Sequence, residues 1–261
     1  MRMSDDKTLR WKNIMALISQ KGEMSVKETA ELLGVSEITI RRDLTEMKNE
    51  RLVSRTHGGA RLFDLGSMIG ESYVVTEQSE KNAGPKSTIG LKAASLVKAN
   101  ETIFLDSGST TPFIAKYIDK QLPITVLCYT FLNALEFSGR KNVNLILYGG
   151  FYHRDSTIFY NPEGLSFIRG IRADKAFISA AGIDEKLGLT TYFHFEVDMK
   201  KAMIQSAKQI ILVVDSSKFG ATSVSFFAGL DQVHTVVTDA GISPRDAEML
   251  RQRNIEVIIA D

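Results

Sequence analysis

Short apolar segments alternate with amphipathic ones from residue 84 onward, and this alternation constrains the fold more than any other feature of the sequence. The apolar segments have the length of buried strands and cover residues 102–105, 124–127, 143–147, 176–179, 210–214, 233–237 and 257–259. The amphipathic segments between them cover residues 87–98, 112–117, 131–137, 195–207 and 244–252. Strands that alternate with helices predict an α/β domain with a mostly parallel sheet over residues 84–261.

The first fifty residues contain three helical patterns. Leu9, Ile14, Leu17 and Ile18 indicate the apolar face of a helix that ends at Gly22. Ser25, with Glu28 three residues later, predicts a capping box at the start of a second helix. Gly34 then turns the chain, and Ser36 is a suitable N-cap for a third. This order is typical of a helix-turn-helix DNA-binding unit.

On the third helix we expect Ile40, Leu44 and Met47 to face the core, because they recur at helical spacing. That leaves Arg41, Arg42, Thr45 and Lys48 toward solvent, where arginine can reach guanine edges or phosphates in the major groove. Asp43 is interpreted as an ion-pair partner and not as a base contact. The predicted DNA-binding residues of this helix are Ser36, Glu37, Thr39, Arg41 and Arg42.

Residues 52–56 alternate like a strand, His57-Gly58-Gly59 turns the chain, and residues 60–62 return. Such a hairpin is a wing, and its Arg55, His57 and Arg61 are predicted to contact the DNA backbone or minor groove. We therefore predict a winged helix-turn-helix domain over residues 1–62, a linker over 63–83 and the α/β domain over 84–261.

The charge distribution agrees with this division. The whole chain has a formal net charge of +1. Residues 1–61 contain 12 Lys and Arg against 9 Asp and Glu, whereas the remaining 200 residues contain 20 against 22. The excess of positive charge in the N-terminal part has the sign that DNA binding needs. Helical periodicity alone leaves a protein-interaction module as an alternative.

Loops at the carboxyl ends of parallel strands are the usual ligand sites of such sheets. The most specific is Asp106-Ser107-Gly108-Ser109-Thr110-Thr111, because small hydroxylated residues and glycine allow backbone N–H groups to surround an anion. An ordinary capped turn is the alternative. Gly149 and Gly150 follow another strand, and a third is followed by residues 215–220, in which Lys218 offers a charge for phosphate.

Other candidates have simple alternatives. Asp184 is a pocket candidate, and a turn carboxylate in water explains it equally well. Glu196 and Lys200, four residues apart, are interpreted as a surface helix pair. His153 and Arg154 are explained either by closure over a ligand or by a surface loop.

Several classes of protein and site are excluded by the sequence. No apolar run approaches the roughly 18 residues that span a membrane. The N-terminus lacks the apolar stretch of a secretory signal. Cys128 lies in an apolar run and is expected to be a buried thiol, and the four histidines lack the spacing of metal ligands. We expect a cytoplasmic protein without a metal site or a cofactor.

Two segments resemble the DeoR family of bacterial transcriptional regulators: Val35-Ser36-Glu37-Ile38-Thr39-Ile40-Arg41-Arg42-Asp43-Leu44, and Arg55-Thr56-His57-Gly58-Gly59-Ala60. The resemblance continues through residues 106–111, 149–150, 174–177, 181–184, 215–220 and 238–239. It implies a sensor domain related in fold to ribose-5-phosphate isomerases. It also implies a repressor of sugar or nucleoside catabolic genes that a phosphorylated sugar or polyol releases from its double-stranded DNA operator. Because helix-turn-helix proteins read paired half-sites, we expect a homo-oligomer, either a dimer or a tetramer.

The chain departs from the family pattern at Cys128-Tyr129, where Thr-Asn is usual, and at Asn161-Pro162, where Gly-Pro is usual. A tyrosine at the pocket mouth is expected to change the volume and polarity of the pocket. One rival is a sugar-phosphate isomerase that uses Asp106, Asp184 and Lys218. The glycine run with the isomerases' catalytic lysine is missing, since residues 186–189 read Lys-Leu-Gly-Leu. A scaffolding role without ligand is a further rival, but it leaves the anion-type loops without a use.

Overall fold

The protein is described by a computed structural model that covers residues 5–21, 23–49, 52–56, 58–62, 75–161 and 164–261. It divides into two compact units, Met1–Glu71 and Ser72–Asp261. Within these ranges, no helix is both long and apolar enough to cross a membrane. The same residues contain no group of three or more His, Cys, Asp or Glu side chains that could hold a metal ion.

The described part of the N-terminal unit contains three helices and a small antiparallel sheet. Its elements are α1 (Asp5–Lys21), β1 (Glu23–Ser25), α2 (Val26–Leu33), α3 (Glu37–Asn49), β2 (Val53–Thr56) and β3 (Gly59–Leu62). β3 lies between β1 and β2 and pairs antiparallel with both strands. The predicted winged helix-turn-helix fold is confirmed, and β1 adds a strand to the wing that the sequence did not predict.

The buried face of α3 agrees with the helical spacing, since Ile40, Leu44 and Met47 have no exposed surface. The face expected for α1 is partly wrong, because Leu9 is 60% exposed. At about 100° per residue, Leu9 lies on the side of the helix opposite Ile18, which is fully buried.

The turn between α2 and α3 follows from its residues. Gly34 ends α2 in the left-handed conformation, with φ of 64°. Ser36 then caps α3 as predicted, because its Oγ accepts the Thr39 N–H at 3.2 Å. The capping box predicted for Ser25 and Glu28 is wrong, since the Ser25 side chain makes no capping hydrogen bond. Ser25 does occupy the N-cap position of α2, and it is also the last residue of β1, where it pairs with Gly59.

Arg10 on α1 and Asp43 on α3 tie the two helices together. Both Nε and Nη2 of Arg10 donate to the Asp43 carboxylate, the latter at 3.2 Å, and Asp43 is fully buried. Asp43 is therefore an ion-pair partner as predicted, but its partner lies on α1 and not among the neighbouring arginines.

The described part of the C-terminal unit contains the remaining α-helices and strands. They are α4 (Val75–Glu80), α5 (Ala83–Ala94), β4 (Thr102–Leu105), α6 (Thr111–Tyr117), β5 (Ile124–Cys128), α7 (Phe131–Phe137), β6 (Val143–Leu147), β7 (Phe151–His153), β8 (Ile158–Tyr160), α8 (Leu165–Gly170), β9 (Ala173–Ile178), β10 (Gly182–Asp184), β11 (Gly188–Thr191), α9 (Val197–Ser206), β12 (Ala207–Val213), β13 (Ser225–Ala228), β14 (Thr235–Asp239), α10 (Pro244–Gln252) and β15 (Glu256–Ala260).

Seven of these strands form one sheet in the order β15-β14-β12-β9-β4-β5-β6. Every neighbouring pair in it is parallel, which confirms the predicted fold class. The order reverses between β4 and β9: the chain runs from β4 outward to β6, and then returns to place β9 on the other side of β4. Such a reversal opens a crevice at the carboxyl ends of the two strands.

Helices cover both faces of the sheet. The apolar core on one face includes residues of α5, α6 and α7, among them Ile89, Ile114 and Phe137. The core on the other face includes residues of α8, α9 and α10, among them Ile168 and Leu250. Cys128 belongs to the first core, where burial raises the pKa of its thiol to about 12, so the expected buried thiol is confirmed.

Two small antiparallel sheets complete the unit, and the sequence predicted neither. One has the order β10-β11-β13, and the other is the hairpin of β7 and β8. Their strands are three or four residues long, which is too short for an alternating pattern to stand out.

Candidate functional site

A cleft of about 580 Å³, including its open mouth, lies where the sheet order reverses. Three neighbouring strands, β4, β9 and β12, end at this cleft. Most of its lining follows directly from those strand ends: Ser107, Gly108, Ser109, Thr110, Ser179, Ala180, Ala181, Val213, Val214, Asp215 and Lys218. The remaining lining residues are Gln78, Ser156, Ile158, Thr191, Tyr192, Phe193 and Glu196.

The loop after β4 needs glycine at position 108. Gly108 has a φ of +105°, a conformation that side chains with a Cβ rarely adopt. A Cβ at this position would also lie 2.9 Å from the Ser179 Oγ. Glycine therefore allows the β4 loop to pass close to the end of β9.

Asp106 lies beneath this loop and holds it from inside the protein. Its carboxylate is fully buried and accepts hydrogen bonds from the Tyr129 hydroxyl, from the Ser179 N–H at 2.8 Å and from the Ser179 Oγ at 3.1 Å. The Lys200 ammonium also donates to it. Asp106 thus joins β4, β5, β9 and α9 below the cleft.

Lys200 and Glu196 are not the surface pair that their spacing suggested. Lys200 is 1% exposed and Glu196 is 6% exposed, and Lys200 forms its ion pair with Asp106. The Lys200 Nζ also donates to the Ser179 carbonyl at 3.1 Å. The interpretation fails because α9 is covered on most sides, with Val197, Met199 and Met203 also buried.

Glu196 supports the cleft from the opposite wall. Its carboxylate accepts the Ser107 hydroxyl at 3.2 Å and also the Thr191 hydroxyl. Burial raises the pKa of this carboxyl, and the nearby Asp106 charge raises it further, whereas Lys200 lowers it. Glu196 thereby holds Ser107, and with it the loop after β4, through a hydrogen bond between the two side chains.

Tyr129 does not stand at the pocket mouth, contrary to the expectation. It is 1% exposed and lies under the β4 loop, where its hydroxyl donates to Asp106 and accepts the Ser107 N–H at 3.3 Å. Burial and the charges of Asp106 and Glu196 raise its pKa well above the ordinary value. Its ring fills the core below the cleft, so the departure from the family pattern changes the support of the loop. The second departure is only partly described, since Pro162 lies outside the described residues.

Asp215 and Lys218 form the turn after β12. The Asp215 carboxylate accepts the Ser217 N–H at 3.1 Å and the Ser217 hydroxyl, so it caps this turn. Both residues line the cleft.

The other predicted effector residues do not line the cleft. Thr111 is fully buried, and its hydroxyl donates to the Asp106 carbonyl at 2.9 Å. Asp184 accepts the N–H groups of Lys186 and Leu187, both at 2.8 Å, and acts as the turn carboxylate that the sequence left as an alternative. Gly149 and Gly150 follow β6. A Cβ on Gly150 would lie 2.3 Å from the Tyr160 carbonyl oxygen, so that glycine serves chain packing.

Of the DNA-binding residues predicted for this region, Ser36 directly precedes α3 and the other four lie in its first two turns. Ser36, Glu37, Arg41 and Arg42 are exposed, and Thr39 is partly exposed. An Arg41 Nη2 donates to Glu37 at 3.1 Å, one turn earlier on the helix. Arg55 lies on β2 of the wing, and His57 lies outside the described residues.

The sequence missed several lining residues, among them Gln78, Ser156, Thr191 and Glu196. Gln78 fell in the predicted linker, and Ser156 follows a strand too short to recognise. The sequence did contain one signal for Glu196. Glu196, Lys200 and Met203 are spaced four and three residues apart, so they fall on one face of a helix, and the apolar Met203 indicates that this face is buried.

Comparisons with known proteins agree with this architecture. The sequence model of the DeoR-like helix-turn-helix domain matches residues 10–65, and that of the DeoR C terminal sensor domain matches residues 81–240. The chain is 32% identical to the deoxyribose operon repressor of Escherichia coli, over 85% of this chain and 86% of that protein.

It is also 30% identical to the L-fucose operon activator of Haemophilus influenzae, over 99% and 100% of the two chains. Among solved structures, a ribose 5-phosphate isomerase A from Methanocaldococcus jannaschii overlaps 53% of this chain and 55% of its own. Its TM-score is 0.39 and its identity 18%, which is too distant to bear on chemistry. The two domain matches cover most of the chain, which belongs to the DeoR family of transcriptional regulators.

Proposed function

We propose that this DNA-binding regulator represses genes of carbohydrate or related catabolism, and that a phosphorylated sugar or polyol releases it from its operator by binding in the cleft. Relatives named for the deoxyribose and aga operons are called repressors, which supports repression. Release requires that the effector bind the two states of the regulator with different affinity.

The observation that carries the proposal is the composition of the cleft. Ser107, Ser109 and Thr110, which carry hydroxyl groups, line it together with Lys218. Hydroxyls and backbone N–H groups in a glycine-containing loop can donate to phosphate oxygens, and lysine supplies the opposite charge. Further hydroxyls, from Ser156, Ser179 and Thr191, suit a ligand rich in hydroxyl groups.

Asp215 and Glu196 place two carboxyl groups in the lining of the cleft, but they repel a bound anion less strongly than two free carboxylates would. Asp215 already accepts two hydrogen bonds from Ser217, and Glu196 accepts one each from Ser107 and Thr191. The raised pKa of Glu196 further favours its neutral form. We assign the effector to Ser107, Gly108, Ser109, Thr110 and Lys218, with Asp106 and Thr111 as supports, and we leave out Gly149, Gly150 and Asp184.

For the operator, we propose contacts from α3 and the wing. Arg41 and Arg42 are exposed on α3 and suit base edges or phosphates, and Ser36, Glu37 and Thr39 lie at the start of the same helix. Arg55 and His57 belong to the wing sequence. Two such units must act together to read two half-sites, so we propose a dimer or a larger homo-oligomer.

We further propose that the chain is not an enzyme. The isomerase alternative needs Asp106, Asp184 and Lys218 in one site, but Asp106 is buried below the loop and Asp184 lies outside the cleft. Proton abstraction requires a carboxylate within hydrogen-bond reach of the substrate.

Lys218→Met tests the proposed effector site, with Lys186→Met as the matched control because Lys186 is exposed outside the cleft. We expect Lys218→Met to bind the operator as wild type does and to lose at least about tenfold in effector affinity, as for a charged hydrogen bond of about 1.5–3 kcal/mol. The assay is operator release in a titration with sugar phosphates. Equal release of the Lys218→Met and Lys186→Met chains would remove Lys218 from the site.

A further inference from the structure

Helix α4 connects the cleft with the part of the chain that leads to the DNA-binding unit. It begins at Val75, directly after residues 63–74, which join the two units in sequence. One turn later, Gln78 lines the cleft. A change in the contacts that hold α4 would therefore affect both the cleft, through Gln78, and the start of the helix at Val75.

The N-terminal end of α4 is anchored to a loop of the cleft. The Val75 N–H donates to the Asp155 carbonyl at 2.8 Å, and Val75 is 1% exposed. The next residue of that loop, Ser156, lines the cleft. The His153 Nδ1 and the Ser156 Oγ lie 2.9 Å apart and fix the loop from its other side.

The C-terminal end of α4 is held by a buried lysine. Lys86, in the first turn of α5, is 3% exposed, and its Nζ donates to the carbonyl oxygens of Gln78 and, at 2.7 Å, Lys81. Carbonyls at a helix end have no partner within the helix, and a cation there satisfies them and favours the helix dipole.

Burying an ammonium is unfavourable, which shows in the pKa of Lys86: burial lowers it, and the nearby Lys218 lowers it further, whereas Asp215 raises it. Two residues of the cleft thus lie within electrostatic reach of Lys86. An anion bound beside Lys218 places negative charge near Lys86. It therefore favours the protonated form of Lys86, which is the form that holds α4.

We propose that Lys86 is a positioning residue that couples occupancy of the cleft to the order of α4. An anion in the cleft contacts Gln78 and Ser156 and stabilises the ammonium, so α4 is held more firmly when the cleft is occupied. The change passes to Val75, where the chain arrives from residues 63–74. This inference rests on the proposed function, because it needs an anionic effector in the cleft.

Amide hydrogen exchange of the full chain tests the coupling, with inorganic phosphate and glucose 6-phosphate as probes. Calorimetry on each variant reports binding independently. The variants are Lys86→Met, Lys86→Arg, Lys218→Met and, as the control, Lys92→Met, which removes an exposed lysine from the same helix.

Without a probe, we expect Lys86→Met to speed exchange of amides 76–82 at least tenfold, while the amides of β4 and β9 keep their protection. Lys92→Met should match wild type, and Lys86→Arg should restore part of the protection because a guanidinium can also donate to carbonyls. With a probe, exchange of amides 76–82 should slow in wild type and stay fast in Lys86→Met, although the probe still binds that variant. Lys218→Met should show no slowing of this exchange when a probe is added.

The failures are distinguishable. A probe that binds wild type without slowing exchange of amides 76–82 overturns the coupling and leaves the proposed effector site intact. A probe that loses its binding to Lys86→Met as completely as to Lys218→Met overturns the positioning role, since Lys86 would then contact the ligand. If neither probe binds wild type, the proposed anion site is overturned, and exchange in unliganded Lys86→Met still decides whether Lys86 holds α4.

Discussion

The buried ion pair of Asp106 and Lys200 gives a sharp prediction about what holds the cleft together. Lys200→Met keeps the apolar stem of the side chain and removes the ammonium, which lies 5.2 Å from the centre of the Phe227 ring. The Asp106 carboxylate stays fully buried with the donors of Tyr129 and Ser179.

Removing one member of a buried ion pair costs about 3–5 kcal/mol, because the other charge loses its partner without regaining water. Three donors remain on Asp106, so we expect Lys200→Met to lose roughly 3 kcal/mol, the lower end of that range. Such a loss is a large fraction of the roughly 5–15 kcal/mol that stabilises a typical domain. Lys201→Met, on the next residue of α9, is partly exposed and should stay within about 0.5 kcal/mol of wild type.

Urea titration followed by the near-ultraviolet circular dichroism of tyrosine measures this difference. All seven tyrosines lie between residues 73 and 192, in the C-terminal unit, whereas Trp11, the single tryptophan, lies in the N-terminal unit. The double variant with Asp106→Asn should lose less than the sum of the two single losses, by about 0.5–3 kcal/mol. Additive losses, or equal losses for Lys200→Met and Lys201→Met, would refute the reasoning.

Two further predictions concern the cleft wall and the DNA-binding surface. Because burial raises the pKa of Glu196 above 4.5, the folded chain binds more protons than the unfolded chain between pH 4.5 and the raised pKa, so stability falls as the pH rises through this window. Glu196→Gln removes this titrating group. Urea titrations at several pH values should therefore show that the free energy of unfolding of the variant rises relative to that of wild type from pH 4.5 upward. A difference that is the same at every pH would contradict this prediction. Arg41→Ala should cost about 1–3 kcal/mol of operator affinity and relax sequence selection if Arg41 binds a base edge. Fluorescence anisotropy with the operator and with scrambled DNA checks this, and uniform weakening on both would instead mark a phosphate contact.

Local sequence patterns were sufficient to predict the main sheet of the C-terminal unit and the buried face of α3. The seven apolar segments of the sheet are long enough to be recognised, and β4 and β6 have the bounds that the sequence predicted. Ile40, Leu44 and Met47 likewise identified the buried face of α3, because their spacing matches a helix. Short strands such as β7 and β10 carry only three residues each, too few for a period to appear.

The cleft depends on contacts between residues far apart in the sequence, and there the predictions were less complete. Ser107, Lys218 and their loops were predicted because strand ends collect ligand loops. Asp106 and Lys200 are 94 positions apart, so no local pattern relates them, and Lys200 was interpreted as a surface residue. Tyr129 was expected at the pocket mouth because sequence position does not determine the direction in which a side chain points after a strand.

Operator release by a phosphorylated effector tests the central claim most directly. DNA that the protein selects from a random pool would serve as the operator, and its binding would be followed while sugar phosphates and their dephosphorylated counterparts are added. We predict that a phosphorylated compound releases the wild-type protein, that its dephosphorylated counterpart does not, and that Lys218→Met abolishes the difference. Release by both forms at equal concentration, or unchanged release of Lys218→Met, would contradict it.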